Sequence, residues 1–205
     1  MTLEDFKNDC NTLTPEIIVQ KYLIEGNSYF FRDLSAYEEL YFKKELAESL
    51  ETHIRNITVV GSGKLGFSIK PDNADNRLYE YKPFDYDFNI DENNKKSDLD
   101  IAIISEILFE KLLLNLFIQR DSFRIHNRPW GTKKSFADYI LKGWFRQDFM
   151  PRDFIISPDT DLIIKKYKRK YGRDVKIGIY KSWYYFESYH RNNIYKIQLN
   201  NISNG

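Results

Sequence analysis

The spacing of apolar residues along the chain predicts alternating helices and strands. Apolar side chains recur mostly every three or four residues through a segment rich in Glu, Lys and Ala, which predicts an amphipathic helix over about residues 35–55. The Thr-Pro-Glu sequence at residues 14–16 predicts a shorter helix before it, because threonine can cap a helix and proline fits its first turn. The continuous apolar run Ile57–Val60 then predicts a buried strand that ends at Gly61.

The second half of the chain resumes this pattern after a polar interruption. Residues 71–97 contain two prolines and many Asp and Asn residues, which predicts a polar surface insertion. The later apolar runs predict, in order, a strand over residues 99–104, a helix over 105–119, a helix over 135–149 that ends before Pro151, a strand over 175–180 and an aromatic-rich helix over 183–194. Most of the 15 Phe and 15 Tyr residues fall at helical spacing, which favours a place in the core over a base-stacking surface.

Together these elements predict an α/β (α+β) fold with a short mixed sheet flanked by helices. The chain has 205 residues, enough for one large domain with its own core. We expect a single domain over residues 1–205, with an N-terminal helical part over 1–55 and a core over 56–205 that carries the insertion at 71–97.

Composition excludes several classes of site and location. The single cysteine, Cys10, excludes an internal disulfide and a cysteine-rich zinc site, and the three histidines lack ligand spacing. The most apolar stretch, about residues 107–118, is interrupted by Glu110, Lys111 and Asn115, and the N-terminus lacks a basic-then-apolar leader. We therefore expect a cytoplasmic protein without direct membrane insertion.

The formal net charge of +1 conceals an uneven distribution. Residues 1–100 carry 12 Lys and Arg against 20 Asp and Glu, a net charge of −8, and residues 101–205 carry 19 against 10, a net charge of +9. Such a distribution suits a cleft in which one wall binds cations and the other binds phosphates. Two solvated faces of opposite sign are the alternative.

A glycine-rich loop, GSGKLGFS, directly follows the first predicted strand. Its spacing fits the G-x-G-x-x-G dinucleotide fingerprint, but Pro71 and a polar segment follow where that fold needs a long helix and a second strand. A P-loop needs Lys and then Ser or Thr after its second glycine, whereas this chain has Phe67 and Ser68. The loop therefore matches neither pattern.

Two carboxylates, Asp98 and Asp100, lead into the strand predicted over residues 99–104. Alternate side chains of an extended chain share a face, so the two Cα atoms are about 6.5 to 7 Å apart and both carboxylates point into the same space. Such a pair can bind divalent metal ions that stabilise phosphoryl transfer. The alternative is that the two aspartates are solvated residues of a turn, which is common at the start of a strand.

Three features in succession resemble the DNA polymerase beta type nucleotidyltransferase superfamily. They are a strand ending in Gly61-Ser62, a polar stretch, and Ser-Asp-Leu-Asp at residues 97–100 followed by apolar residues. The segments GWFRQD and IGIYKSW are similar to small bacterial nucleotidyltransferase-like proteins, many of them associated with anti-phage defence. The resemblance implies metal-dependent transfer of a nucleoside monophosphate from an NTP or dNTP to a hydroxyl acceptor, with release of pyrophosphate. The sheet would be of the nucleotidyltransferase type.

The resemblance also implies roles for individual residues. Asp98 and Asp100 would hold Mg²⁺ or Mn²⁺. Gly61, Ser62 and the backbone N–H groups of Gly63 and Lys64 would bind the phosphates of the nucleoside triphosphate, with the Lys64 side chain as a further phosphate contact. A tight turn and a solvated lysine are the alternatives for this loop.

The sequence departs from the family pattern in two places. Between Ser62 and Asp98 lie 35 residues, far more than the minimal pattern contains. The third family carboxylate lies mid-strand, where this chain has Lys176, with Asp174 two residues earlier. Asp174 could complete the catalytic set as general base, or the chain has a two-carboxylate site, or it is an inactive relative.

Residues 165–173, KKYKRKYGR, hold six basic residues and two tyrosines. These residues would suit binding of a triphosphate or a nucleic-acid acceptor, with Tyr167 or Tyr171 available for stacking. The alternative is that they form a solvated helix end. The expected products are an oligonucleotide signal to an effector or a nucleotide attached to a partner toxin. The alternatives are a non-catalytic antitoxin that binds a partner protein and a nucleic-acid binder.

Overall fold

A computed structural model describes residues 2–71, 79–120, 130, 132–151 and 153–203. Its β-strands are β1 Ile57–Val60, β2 Phe67–Pro71, β3 Tyr79–Pro83, β4 Leu99–Ile104, β5 Trp144–Arg146 and β6 Val175–Tyr180. Its α-helices are α1 Leu3–Thr12, α2 Pro15–Ile18, α3 Glu38–Ser49, α4 Ser62–Leu65, α5 Tyr86–Ile90, α6 Glu106–Gln119, α7 Lys133–Leu141, α8 Pro158–Tyr171 and α9 Trp183–Ser203. None of these helices combines the length and the apolar character needed to cross a membrane.

The main sheet is mixed, as the sequence predicts, and has four strands in the order β1-β4-β6-β5. Strand β4 pairs antiparallel with β1 and parallel with β6, which pairs antiparallel with β5. Five of the six residues of β4 are buried, which explains its continuous apolar sequence. The predicted strands at 57–60, 99–104 and 175–180 are therefore confirmed.

Helices cover both faces of this sheet. Leu99, Ile101 and Ile103 pack in one core with buried side chains of α3, α6 and α8. Ala102 and Ile104, on the opposite face of β4, pack in a second core with side chains of α1, α2 and α9. The predicted arrangement of a small mixed sheet flanked by helices is thus confirmed.

The N-terminal helical part contains more helices than the sequence predicts. Helix α1 is held by a capping box in which Thr2 and Asp5 bond each other's backbone N–H groups. Helix α2 continues as a π-helix over Val19–Glu25. Helix α3 begins later than predicted, at Glu38. It also ends earlier, at Ser49, because Glu51 has a left-handed backbone with φ of 53°.

The insertion predicted over residues 71–97 is not a plain loop. Strands β2 and β3 form an antiparallel two-stranded sheet, and α5 follows it. Alternation of apolar and polar residues in Phe-Ser-Ile-Lys, 67–70, and Tyr-Glu-Tyr-Lys, 79–82, is the signal for these strands. The residues between them, 72–78, lie outside the described part.

The predicted helix over residues 135–149 is wrong in its second half. Helix α7 ends at Leu141, and residues 144–146 form β5 at the edge of the main sheet. Gly143 lies between them with φ of 64°, a left-handed conformation that ends a helix. A Cβ at Gly143 would lie 2.3 Å from Cγ of Tyr185, so this glycine also permits a close contact with α9.

Substitution of Gly143 by alanine is expected to destabilise the protein far more than substitution of Gly172. Both glycines have a left-handed backbone, with φ of 64° and 60°, so both variants carry the same backbone strain of about 1 kcal/mol. A Cβ at Gly172 would meet nothing within 4 Å, whereas at Gly143 it would overlap the Tyr185 ring. We expect Gly143→Ala to cost about 2 kcal/mol more in the free energy of unfolding, measured by urea denaturation. Equal losses in the two variants would contradict this.

Candidate functional site

The two carboxylates and the glycine loop meet at one end of the main sheet. Asp98 directly precedes β4, and Asp100 lies opposite Val60 on β1 and opposite Lys176 on β6. A Cβ at Gly61 would lie 3.1 Å from Oδ2 of Asp100, so the carboxylate lies directly over the turn after β1. The structure thus places side by side two segments that are distant in the sequence.

Lys176 lies against the carboxylates. Its Nζ is 2.5 Å from Oδ2 of Asp98, and this hydrogen bond raises the pKa of Lys176 above its ordinary value. Burial and the neighbouring Asp98 raise the pKa of Asp100, and Lys176 opposes this shift. The ionised form of Asp100 therefore carries a free-energy cost in the absence of a bound cation.

A cavity of about 770 Å³ opens on this end of the sheet. Gly61, Ser62, Asp98 and Asp100 line one side of it, and the β2–β3 sheet, α5 and α9 enclose the rest. Its volume lies in the range of small-molecule and cofactor sites. The cationic and aromatic side chains that line it include Lys70, Tyr79, Lys82, Tyr86, Lys95, Lys96, Tyr189, His190 and Lys196.

The charges of this cavity do not follow the two halves of the sequence. Four of the five lysines in its lining precede residue 100, in the half with a net charge of −8. The carboxylates Asp98 and Asp100 come from the same half. The expected separation into an acidic first wall and a basic second wall is therefore not how this cavity is built.

A second cavity of about 270 Å³ adjoins the first across Asp100. Both cavities are lined by Gly61, Asp100, Tyr189, His190 and Asn193, and the smaller one adds Trp144, Arg146, Asp148 and Lys176. Burial lowers the pKa of His190 to about 4, and its Nε2 is buried without a partner among the described residues. A neutral imidazole therefore lies between the two cavities at physiological pH.

The glycine loop is built differently from its sequence-based interpretation. Ser62 begins α4 and lines the large cavity, as expected for a ligand contact. Gly63 is buried, and a Cβ there would lie 2.9 Å from Cδ1 of Leu99, so this glycine permits close packing against β4. The backbone N–H of Lys64 donates to the carbonyl of Gly61 at 3.1 Å and is already used.

The Lys64 side chain does not reach the large cavity. It is 3% exposed, and its ammonium donates to the carbonyl of Gly26. Burial, together with the nearby Lys43, lowers the pKa of Lys64 to about 8 against the opposing effect of Glu39. The interpretation of Lys64 as a phosphate contact finds no support in this arrangement.

The buried ammonium predicts a pH-dependent stability. Its pKa is about 8 in the folded protein and about 10.4 in an unfolded chain, so the unfolded state binds more protons between these values. The free energy of unfolding should therefore rise from about pH 8 to pH 10 by about 2 kcal/mol more in the wild type than in Lys64→Met. Urea denaturation of both proteins at each pH checks this, and parallel curves would contradict it.

Asp174 precedes β6 beside the start of β4, but its side chain is paired elsewhere. Its backbone carbonyl accepts a hydrogen bond from the N–H of Leu99 at the start of β4, but its side chain pairs with Lys168 at 2.5 Å. This hydrogen bond lowers the pKa of Asp174. Asp174 is not among the residues that line either of these two cavities. Its role as a third carboxylate stays a prediction.

The basic segment 165–173 is largely neutralised within the fold. Lys166 pairs with Glu45, and Lys170 pairs with Glu38. Tyr167 is 2% exposed, and the Tyr171 hydroxyl donates to Glu38, so both rings belong to the core. The expectation that these tyrosines stack on nucleic-acid bases is corrected here.

Arg173 forms a clamp that the sequence did not reveal. Its guanidinium is 7% exposed and bonds both carboxylate oxygens of Asp85, at 3.0 and 2.9 Å, and the carbonyl of Ser97 at 2.8 Å. It lies over the rings of Phe30 and Phe84, at 4.8 and 4.6 Å from their centroids. The clamp joins the insertion to the residue that precedes Asp98.

Comparisons with protein-family models, with curated proteins and with solved structures found no match to this chain. Within the described ranges, no group of three or more His, Cys, Asp and Glu side chains is placed to hold a metal ion.

Proposed function

We propose that this protein is a divalent-metal-dependent nucleotidyltransferase that uses a nucleoside triphosphate. The observation that carries the proposal is the position of Asp98 and Asp100, which share one face at the start of β4 and lie beside Gly61 and Ser62 on a cavity of about 770 Å³. The small mixed sheet flanked by helices also supports the proposal, because the resemblance implies a short mixed sheet.

The donor set fits Mg²⁺ or Mn²⁺. Asp98 and Asp100 offer hard oxygen ligands, and Mg²⁺ in nucleotide enzymes is commonly held by one or two carboxylates together with substrate phosphates. When bound, the metal would neutralise phosphate charge and stabilise the oxygens involved in the displacement. The glycine at position 61 leaves Oδ2 of Asp100 uncovered toward the cavity.

The other cavity residues bind and orient the nucleotide. Lysines from the β2–β3 sheet, from residues 95–96 and from α9 attract the triphosphate and offset its charge. Tyr79 and Tyr86 offer rings to the base. The adjoining cavity, with Arg146 and the neutral His190, lies across Asp100 and can hold the hydroxyl acceptor. Catalysis then comes from positioning and from charge stabilisation, without a covalent intermediate.

Incubation with each of the eight ribo- and deoxyribonucleoside triphosphates tests the proposal. With Mg²⁺ or Mn²⁺ present, at least one should yield pyrophosphate together with a labelled product. The products that we propose are an oligonucleotide that signals to an effector in anti-phage defence, or a nucleotide attached to a partner toxin, and gel and mass analysis separates them. Absence of pyrophosphate under every condition, with candidate acceptors added, would overturn the enzyme proposal.

A second candidate function is a non-catalytic antitoxin-type module that binds a partner protein. The observation that favours it is Lys176, which lies opposite Asp100 and pairs with Asp98 where the family resemblance implies a third carboxylate. Such a module would bind nucleotide or partner without turnover. Nucleotide binding measured by calorimetry, together with no pyrophosphate release, would support it over the enzyme.

A further inference from the structure

The charged groups around Asp100 nearly balance. The ionisable side chains that act most strongly on it are Asp98, Asp148, Arg146 and Lys176. Arg146 and Asp148 form a pair at 2.5 Å, and Lys176 pairs with Asp98 at the same distance. With Asp100, three carboxylates face two fixed cations, which leaves a net charge of −1.

A net charge of −1 is suited to one divalent ion and poorly suited to two. Neighbouring strands place Lys176 directly opposite Asp100, so its ammonium occupies the β6 side of the carboxylate pair. A second metal ion on that side would lie against this ammonium and meet like-charge repulsion. The β1 side differs, because Gly61 adds no side chain there and leaves Oδ2 of Asp100 open to the large cavity.

We infer that the site takes its nucleotide as a complex with a single divalent ion, and that the Lys176 ammonium supplies the second positive charge. The inference rests on the proposed nucleotide-binding function and specifies its metal content. The ion lies on the Gly61 side of the carboxylates, among the residues that line the large cavity. Lys176 stays on the β6 side, where it neutralises Asp98 and faces the smaller cavity.

Counting bound Mn²⁺ tests this inference without measuring turnover. The full chain is equilibrated with α,β-methylene-ATP, in which the scissile linkage is blocked, and free Mn²⁺ is measured by electron paramagnetic resonance. We expect one Mn²⁺ per bound nucleotide in the wild type and two in Lys176→Asp, because the substitution replaces an ammonium with a third carboxylate. Two ions in the wild type, or one ion in a folded Lys176→Asp, would overturn the inference.

A neutral variant provides a second test in case Lys176→Asp does not fold. Lys176→Met keeps the length of the side chain and removes its charge, so it should bind Mn²⁺ alone at least about tenfold more tightly than the wild type. Lys181→Met is the matched control, because Lys181 follows the opposite end of β6 and pairs with Glu110 at 2.6 Å. An equal gain in affinity in both variants would count against a specific role of Lys176.

The outcomes separate this inference from the proposed function. Pyrophosphate release together with two Mn²⁺ per nucleotide would keep the nucleotidyltransferase and remove the single-ion site. Nucleotide binding that is unchanged by EDTA would remove the single-ion site and favour a non-catalytic module. No binding of any nucleotide in any condition would remove both proposals.

Discussion

Replacement of Asp98 and Asp100 by asparagine is expected to lower pyrophosphate release by about 10³-fold or more, because both proposed metal ligands lose their charge. Asparagine keeps the size of the side chain, so the double variant should fold. Release of pyrophosphate from the preferred nucleoside triphosphate is the measurement, with circular dichroism as the check on folding. Wild-type activity in the folded double variant would exclude these carboxylates from catalysis.

A matched control is Asp161→Asn. Asp161 is paired with Lys165 at 2.6 Å on α8, as Asp98 is paired with Lys176, but it lines neither cavity. Its substitution should leave pyrophosphate release unchanged. Asp174→Asn decides the open question of the third carboxylate, because a general base would lose activity on this change and a surface ion pair would not.

Stability should change in the opposite direction from activity at Asp100. Burial and the neighbouring Asp98 raise the pKa of Asp100, so its ionised form destabilises the folded state at neutral pH. Asp100→Asn alone should therefore raise the melting temperature by about 2 to 4 °C without metal, which corresponds to about 1 kcal/mol. Stability and function trade off in this way where a site holds uncompensated charge.

The meeting of the glycine loop with Asp98 and Asp100 follows from local rules. A continuous apolar run predicts each strand, a glycine ends the first, and the two-residue period places both carboxylates on one face. Antiparallel pairing of β1 and β4 then brings the end of one strand to the start of the other. These parts of the site could be predicted from the sequence because each depends on a few consecutive residues.

Other parts were misread because a local pattern supported the wrong element. Apolar residues from Phe136 to Trp144 keep helical spacing, and only Gly143 signals that the helix ends before β5. Strands β2 and β3 carry an alternating pattern, but polar residues on either side hide it. The correct signal for the end of α7 was Gly143, and the correct signal for β2 and β3 was the two-residue period of apolar side chains.

The roles of Lys64 and Arg173 had no local signal. A lysine in a glycine-rich loop suggests a phosphate contact, yet its environment is formed by Gly26, Glu39 and Lys43, which lie far away in the sequence. Arg173 ends a basic run that resembles a solvated helix terminus. Its partner Asp85 lies 88 residues earlier, inside the insertion, so only the folded chain reveals the pair.

Replacement of Arg173 by methionine is expected to be the most destabilising of the charge-removing substitutions discussed here, at about 3 to 5 kcal/mol. The change leaves the carboxylate of Asp85 in a half-buried site without its cation, and it frees the carbonyl of Ser97. It also removes the cation that lies over the rings of Phe30 and Phe84. Urea denaturation gives the free energy of unfolding. A loss below about 1 kcal/mol would place this contact among ordinary surface pairs.

Two comparisons show that the effect comes from the buried pair. Lys170→Met removes the cation of a half-exposed pair with Glu38, where about 1 kcal/mol or less is expected. Arg173→Met combined with Asp85→Asn should recover part of the loss, because no unpaired carboxylate then remains. A double variant no more stable than Arg173→Met would attribute the loss to packing of the arginine against the rings of Phe30 and Phe84.

Acidification should remove the contribution of this pair. Although burial acts to raise it, the pKa of Asp85 lies below its ordinary value, because Arg173 and Ser97 bond the ionised carboxylate. The unfolded state therefore binds the proton first, and the pair stabilises the fold fully above about pH 5. The difference in unfolding free energy between the wild type and Asp85→Asn should shrink as the pH falls from about 5 towards 3. A constant difference across this range would mean that the pKa of Asp85 is the same in the folded and unfolded states, so that its charge contributes nothing to stability.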